Sequence, residues 1–532
     1  MPTFKIDGKE VEFQEGDTIL RAAHRAGVEI PYYCWHPGLT VATNCRMCLV
    51  EILPEAGRKP LTLDVLRWDP ETGTHRPEKK PKLQPACQIP AAAGMEILSD
   101  SSAHVREARR SVQEFLLLNH PVDCPICDQA GECKLQDYWL AHQKTSKRMR
   151  DEIIHKPKAT VFGPTIVYDA ERCIVCTRCV RFCAEVAKDP VLEKRERGNT
   201  SEIVVAPGRS LDHPYTLMTE HVCPVGALTS KDFRFKARVW FLRSARSICQ
   251  GCATGCNSWL DFDPRYQKAY RYRPRDNEAV NRYWMCDEGM LSYKWAHNDR
   301  ITHARIDGKQ ATLKAAIAKA AERIKALPQD STAVVLSAQH SNEDNFALVT
   351  LARTHLGLGD FFLSGKPVGE CDDILRHPDK NPNTAGATDV TTTTPPRPFD
   401  QLLEGIEKGR ITHVLAIGSA VPVDADEAGK LLKKLKALIV TGIWDGPLTQ
   451  AASLLLPACS WAETDGTYVN SKGIAQRSMR ALQPLGDARP GWEILARIAA
   501  QLGHPMNWTR LSDVHRAMAP EAGAVAATTA EP

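Results

Sequence analysis

Residues 120 to 133, HPVDCPICDQAGEC, set His120, Cys124, Cys127 and Cys133 close together, and no further cysteine follows until Cys173. Thiolate and imidazole are the side chains that hold soft and borderline metals. The chain carries 18 cysteines, and all but Cys371 and Cys459 fall before residue 290. Disulfides would require an oxidising compartment, and the N-terminal stretch MPTFKIDGKEVEF has no apolar core of a signal peptide. Metal is therefore the better account of these cysteines.

Four sets emerge from the spacing. Cys34, Cys45, Cys48 and Cys87 follow C-x10-C-x2-C with a distant fourth. That is the plant-type two-iron pattern with a longer first loop. CIVCTRCVRFC supplies Cys173, Cys176, Cys179 and Cys183, and CPVGAL supplies Cys223. In two-cluster ferredoxins three close thiolates serve one cubane and the fourth, followed by proline, serves the other. Cys183 lacks that proline, so Cys223 is the preferred fourth ligand and Cys183 a free buried thiol. Cys249, Cys252, Cys256 and Cys286, from CQGCATGC and MCDEG, suit a four-iron cubane. Zinc is the rival throughout, but structural zinc favours two tight ligand pairs.

With Cys183, Cys371 and Cys459 set aside, Cys124, Cys127 and Cys133 remain without a fourth thiolate. Imidazole is a competent iron ligand, as Rieske centres show. His120, four residues before Cys124 and ahead of Pro121, is the leading candidate; His104 and His142 are weaker.

Elements must position these side chains. TFKIDGKEVEF reads as strand, Asp7-Gly8 turn and strand; TILRAAHRAGVEIP reads as a helix stopped by Gly27 and Pro31. Strand, strand, helix and cysteine loop is how a β-grasp ferredoxin begins. After residue 300 the pattern alternates: helix TLKAAIAKAAERIKAL, strand TAVVLSA, helix SNEDNFALVTLARTHLG, strand THVLAIG, helix DEAGKLLKKLKA and strand LIVTG. This argues for a parallel α/β sheet. Residues 377 to 397 have linker composition and are expected to form a mobile surface loop.

At 532 residues, 43% hydrophobic and 25% charged, the chain has the profile of a soluble protein of three to five domains. A net charge of +4 does not argue for nucleic acid, and the basic stretches Arg106–Arg110 and Lys147–Arg150 read as solvated faces. No apolar run reaches the roughly 18 residues of a membrane span. No nucleophile elbow, H-E-x-x-H or P-loop appears.

In this order, YYCWHPGLTVATNCRMCLVE, HPVDCPICDQAGECKLQD, RCIVCTRCVRFC, CPVGAL and CQGCATGC resemble the large iron–sulfur (G) subunit family of bacterial respiratory complex I, NADH:quinone oxidoreductase. The resemblance covers roughly residues 1 to 300. It implies a 2Fe-2S cluster on the first set, a His-ligated 4Fe-4S cluster on the second including His120, and 4Fe-4S clusters on the third and fourth. The last is thought to lie off the main electron path. It supports His120 and demotes Cys183.

LLLPACSWAETDGTYVNSKGIAQ makes the last third similar to the molybdopterin oxidoreductase superfamily. That domain is shorter than catalytic members; Cys371 reads as a plain thiol, and no G-x-G-x-x-G follows HVLAIG. The expectation is a degenerate scaffold without molybdenum cofactor. The implied domains are a 2Fe-2S ferredoxin-type domain (1–90), a 4Fe-4S domain with one histidine and three cysteine ligands (91–150) and a 4Fe-4S ferredoxin-like domain (151–235). A further 4Fe-4S domain of the molybdenum-enzyme type (236–300) and the shortened α/β domain (301–532) follow. The fold class is thus multidomain α+β and α/β.

The implied function is an electron relay in the peripheral arm, from a flavin/NADH-binding partner subunit toward quinone-side iron–sulfur subunits. No catalytic residue and no substrate site of its own are expected. The implied location is the cytoplasmic face of the inner membrane, with membrane contact only through partners. A subunit of an NAD-linked formate dehydrogenase or a related hydrogenase complex is the redox alternative, and a zinc scaffold the non-redox one.

Overall fold

The computed structural model describes residues 1–54, 59, 61–391 and 394–519. The chain divides into two units, Met1–Val239 and Trp240–Pro532.

In the first unit the Asp7-Gly8 pair takes positive φ (47° and 80°) and turns strand Thr3–Ile6 into Lys9–Glu12, with Ile6 opposite Lys9. The Asp7 carboxylate accepts the Ser99 and Asp100 backbone N–H groups at 2.7 and 2.9 Å. Burial works against its ionisation, but the bonds from Ser101, Ser99 and Asp100 outweigh that and hold it below the usual carboxylate value. Strand Glu96–Leu98 runs parallel to Thr3–Ile6 in the middle of a five-stranded sheet. Helix Ile19–Arg25 begins where the Thr18 hydroxyl accepts the Arg21 N–H, and Gly27 (φ 68°) ends it. Its buried Ile19, Leu20, Ala22 and Ala23 meet Phe4, Ile6 and Val50 of the sheet.

One feature adds to the sequence reading here and one corrects it. A hairpin, Thr62–Asp69 with Thr74–Pro81, stands between Cys48 and Cys87, most of its side chains exposed. In helix Ala103–Leu117, Arg109 is not on a solvated face. It is fully buried, donates to Ser99 Oγ at 2.6 Å and to Leu49 O, and pairs with Asp100. Hydrogen bonds to a charged group contribute about 1.5–3 kcal/mol each; they offset only part of the cost of burying the guanidinium, whose pKa burial still holds below its usual value.

The second unit opens with a three-stranded antiparallel sheet, Arg243–Ile248, Asn257–Asp263 and Lys268–Pro274. An eight-stranded sheet follows. Six of its strands are parallel: Leu454–Pro457, Ala437–Gly442, His413–Ile417, Thr332–Ser337, Phe361–Ser364 and Arg397–Pro398. Alternate residues feed opposite faces: Val334 and Leu336 enter one core, Ala333 and Val335 the other. A sheet covered on both faces explains the continuous apolar runs of these strands. Helix Asn342–Val349 starts at Ser341, continues as a π-helical stretch over Thr350–His355, and Gly357 follows at positive φ.

Residues 377 to 391 are not a mobile surface loop. Lys380, Asn381, Asn383 and Thr391 are buried, and Thr384–Asp389 is helical. Asn383 donates to His340 O (2.8 Å) and Asn342 Oδ1 (2.9 Å) and accepts the Val469 N–H (2.7 Å). A polar segment can be buried when its donors and acceptors are matched in this way.

Candidate metal centres

The first set lies on the loop after helix Ile19–Arg25 and on the strand ends beside it. Cys34, Cys48 and Cys87 are buried and Cys45 is partly so. Cys45 and Cys34 share a sulfur–sulfur hydrogen bond, and so do Cys48 and Cys87. The bond from Cys45 holds the Cys34 thiol down to about 6, and Cys45 is pushed up in exchange. Thr43 and Arg46 adopt positive φ, which curls the loop around its cysteines.

The third set occupies the approach to helix Arg178–Glu185. Val175 and Thr177 are left-handed (φ 52° and 60°), so the C-x2-C-x2-C run coils instead of extending. Cys173, Cys176 and Cys179 line one small cavity with Cys223, which arrives from the end of helix Leu217–Val222. Cys183 is not among the residues lining it; its sulfur is buried 3.5 Å from His213 Nε2. Burial pushes Cys173, Cys176 and Cys223 up to about 11. These thiols therefore need a bound cation, not their surroundings, to become thiolates.

The second set lines a cavity of about 510 Å³, shared by His120, Cys124, Cys127 and Cys133. His104 and His142 are not among its lining residues. Cys133 is the N-cap of helix Lys134–His142, while Cys124 is exposed. Burial, with a contribution from Arg172, holds the His120 imidazole down to about 4, hence neutral at pH 7. Neutral imidazole is the form that binds metal.

The fourth set sits on the hairpin loop between Arg243–Ile248 and Asn257–Asp263, closed by the Cys249 N–H to Cys256 O bond at 2.9 Å. Cys286 returns as the N-cap of helix Asp287–Leu291. All four cysteines are buried and line one cavity. Gly251 N–H donates to Cys249 Sγ, and Gly289 N–H to Cys286 Sγ, both at 3.3 Å.

The residues suit iron–sulfur groups on local grounds. A Cβ on Gly289 would sit 3.0 Å from Cys249 Sγ and 3.3 Å from Cys286 Sγ, and one on Gly226 would overlap Cys127 Sγ. Backbone without side chains is thus packed directly against the sulfurs. Among the described residues no group of three or more His, Cys, Asp or Glu could hold a single metal ion. Ligands that ring a cavity suit a multinuclear cluster.

Sequence reasoning missed the side chains that join the sets. Arg181 donates to Cys34 O at 2.5 Å, and Arg178 to both Trp35 O and Val222 O at 3.0 Å, tying the first set to the third. Lys134 N–H donates to Pro224 O at 3.3 Å, tying the second to the third. Lys134 Nζ stands 3.9 Å over the Tyr32 ring, with Arg178 at 5.7 Å from the same ring. Isolated basic residues in motif flanks carry no signal of such bridging.

Family models match along the chain. They are a 2Fe-2S iron-sulfur cluster binding domain (residues 1–102), the NADH-ubiquinone oxidoreductase-G iron-sulfur binding region (109–148) and the NADH-quinone oxidoreductase subunit 3 ferredoxin-like domain (163–229). The molybdopterin oxidoreductase Fe4S4 domain (242–298) and molybdopterin oxidoreductase (294–501) follow. The G subunit of NADH-quinone oxidoreductase from Rickettsia conorii is 36% identical over 66% of this chain and 49% of its own length. The proteins of the same name from Streptomyces coelicolor and Mycobacterium tuberculosis are each 33% identical. They match 67% and 69% of this chain and 40% and 43% of their own. The chain thus spans less than half the length of these relatives. A solved NAD+-reducing [NiFe]-hydrogenase chain, 29% identical, covers 45% of this chain and 91% of its own at a TM-score of 0.36, too low to argue from. Across about two thirds of its length, the chain is a homologue of the NADH-quinone oxidoreductase G subunits.

Proposed function

We propose that this chain is the electron-relay iron–sulfur subunit of the peripheral arm of an NADH:quinone oxidoreductase. In this reading Cys34, Cys45, Cys48 and Cys87 hold one 2Fe-2S cluster in a β-grasp domain. His120 with Cys124, Cys127 and Cys133, then Cys173, Cys176, Cys179 and Cys223, then Cys249, Cys252, Cys256 and Cys286, hold three 4Fe-4S clusters. Such clusters supply one-electron oxidation and reduction at potentials set by charge, hydrogen bonding and exposure. The chain's own part is to fix the ligands, exclude water and keep the first three sets close. The domain limits of 1–90, 91–150, 151–235, 236–300 and 301–532 belong to the same proposal, with the last a scaffold without molybdenum.

One observation carries the reading. A fourth residue gathers with each of three short motifs: Cys223 with Cys173–Cys179 and Cys286 with Cys249–Cys256, both from well beyond the motif, and His120 with Cys124–Cys133 from four residues before it. The partners would be a flavin/NADH-binding subunit and quinone-side iron–sulfur subunits. Among the described residues no helix is long and apolar enough to cross a membrane; a peripheral place at the cytoplasmic face is part of the same proposal.

Iron and acid-labile sulfide analysis of anaerobically purified chain tests this. The expected content is about 14 iron atoms per chain, one two-iron and three four-iron clusters. Stoichiometric zinc without sulfide would refute it, and bound molybdenum with formate oxidation would shift it to the enzyme alternative.

A further inference from the structure

The fourth set has neighbours that its own motif does not announce. Residues 365 to 381 double back on themselves. Gly369 N–H donates to Pro378 O at 3.0 Å, Lys366 N–H to Asn381 Oδ1 at 2.7 Å, and Asn381 Nδ2 back to Lys366 O at 3.1 Å. The two arms press together so closely that a Cβ on Gly369 would come within 2.7 Å of Lys380 Cε. The doubled segment is clamped to the cysteine loop. Ala253 N–H donates to Asp379 O at 2.9 Å, and the Thr254 hydroxyl to Leu375 O at 2.5 Å.

This clamp delivers three cations. Arg376 and Lys380 line the cavity of Cys249, Cys252, Cys256 and Cys286. Lys366, tied to Asn381 in the opposite arm, has its Nζ 3.4 Å over the Trp295 ring and stands outside the residues that line the cavity. The offsetting anions are fewer and wetter. Lys380 meets Glu288 at 3.2 Å and Arg376 meets Glu370 at 2.7 Å, with those carboxylates 43% and 84% exposed. Lys366 makes no salt bridge among the described residues. The Arg376 Nε–H is buried without a hydrogen-bond partner among them, its contact with Glu288 being an ion pair at 4.0 Å. A buried donor left unmatched is costly unless something accepts it, and a group held in the cavity that Arg376 lines would supply such an acceptor.

We propose that Lys366, Arg376 and Lys380 are positioning residues of the fourth site, a cationic wall that raises the electron affinity of the four-thiolate group held there, with Arg376 Nε as a donor into the cavity. The inference rests on the iron–sulfur reading of that set. Its physical basis is that each added electron adds negative charge, which buried cations and hydrogen-bond donors stabilise more than they would in water. The wall comes from a segment about eighty residues beyond Cys286, so ligand spacing carries no trace of it.

Redox titration of the purified full chain, followed by paramagnetic resonance, provides the test. Lys380→Met should lower the electron affinity of the fourth-site signal at least tenfold, about 59 mV for a one-electron couple. The other three signals should not move, and Lys380→Arg should restore the native midpoint. Should Lys380→Met lose the cluster, Lys366→Met and Arg376→Lys, which keeps the charge but removes the Nε donor, carry the same measurement. Midpoints unmoved in these variants at full iron content would overturn the proposal. Wild-type chain with about 10 iron atoms would instead remove the fourth cluster itself, a separate failure.

Discussion

The second and fourth sets ask opposite things of the same thiol chemistry. Around Cys124, Cys127, Cys133 and His120 the wall is open: Cys124 is exposed, and Val122, Ile126 and Leu140 near it show apolar surface to solvent. Around Cys249, Cys252, Cys256 and Cys286 every sulfur is buried, backbone glycines press on two of them, and cations complete the lining. Each set offers four candidate ligands, so the difference lies in what surrounds them. Exposure and local charge are the variables that set a cluster's potential and its lability. Two sites of like composition in one chain can therefore serve different ends.

The sharpest break in that comparison is Gly226→Ala. A Cβ there meets the Cys127 sulfur. A free thiol would swing aside at little cost, whereas a sulfur committed to iron cannot. The expected result is loss of about four of about 14 iron atoms, with the fourth-site signal intact; unchanged iron would strike Cys127 from the ligands. Next in size is lability. Under an iron chelator in mild oxidant, the second-set signal should vanish first and the fourth last, because Cys124 is open to solvent; simultaneous decay would dissolve the contrast. The smallest effect is His120→Cys, which should keep the iron but lower the second-set midpoint, since a thiolate adds a negative charge that imidazole does not. An unmoved midpoint there would remove His120 from the site.

The candidate ligands stand out in the sequence because their signal is local: C-x2-C steps, a histidine near a triplet short of one thiolate, and the Cys-Pro of CPVGAL. The fold was legible where periodicity is strong, as in the Thr332–Ser337 and His413–Ile417 strands. What stayed hidden depends on partners far along the chain. Arg109 looks like a surface charge until Ser99, Asp100 and Leu49 O are brought to it. Residues 377–391 look like linker until Asn381 and Asn383 find their acceptors. The Thr62–Pro81 hairpin did leave a faint trace, the alternation of TLDVLRWD before DPETG, but with little buried on either face that trace had no packing partner to support it.

The stretch Cys223–Gly226 serves two masters. Its first residue joins the third set, its proline carbonyl is bound by the backbone just after Cys133, and its last residue lies on Cys127. Maturation of these two sites should then be ordered: until iron captures Cys223 and pins the stretch, the floor beneath Cys127 is unset. A cell starved of iron would accumulate chains lacking both neighbours together more often than chance pairing allows.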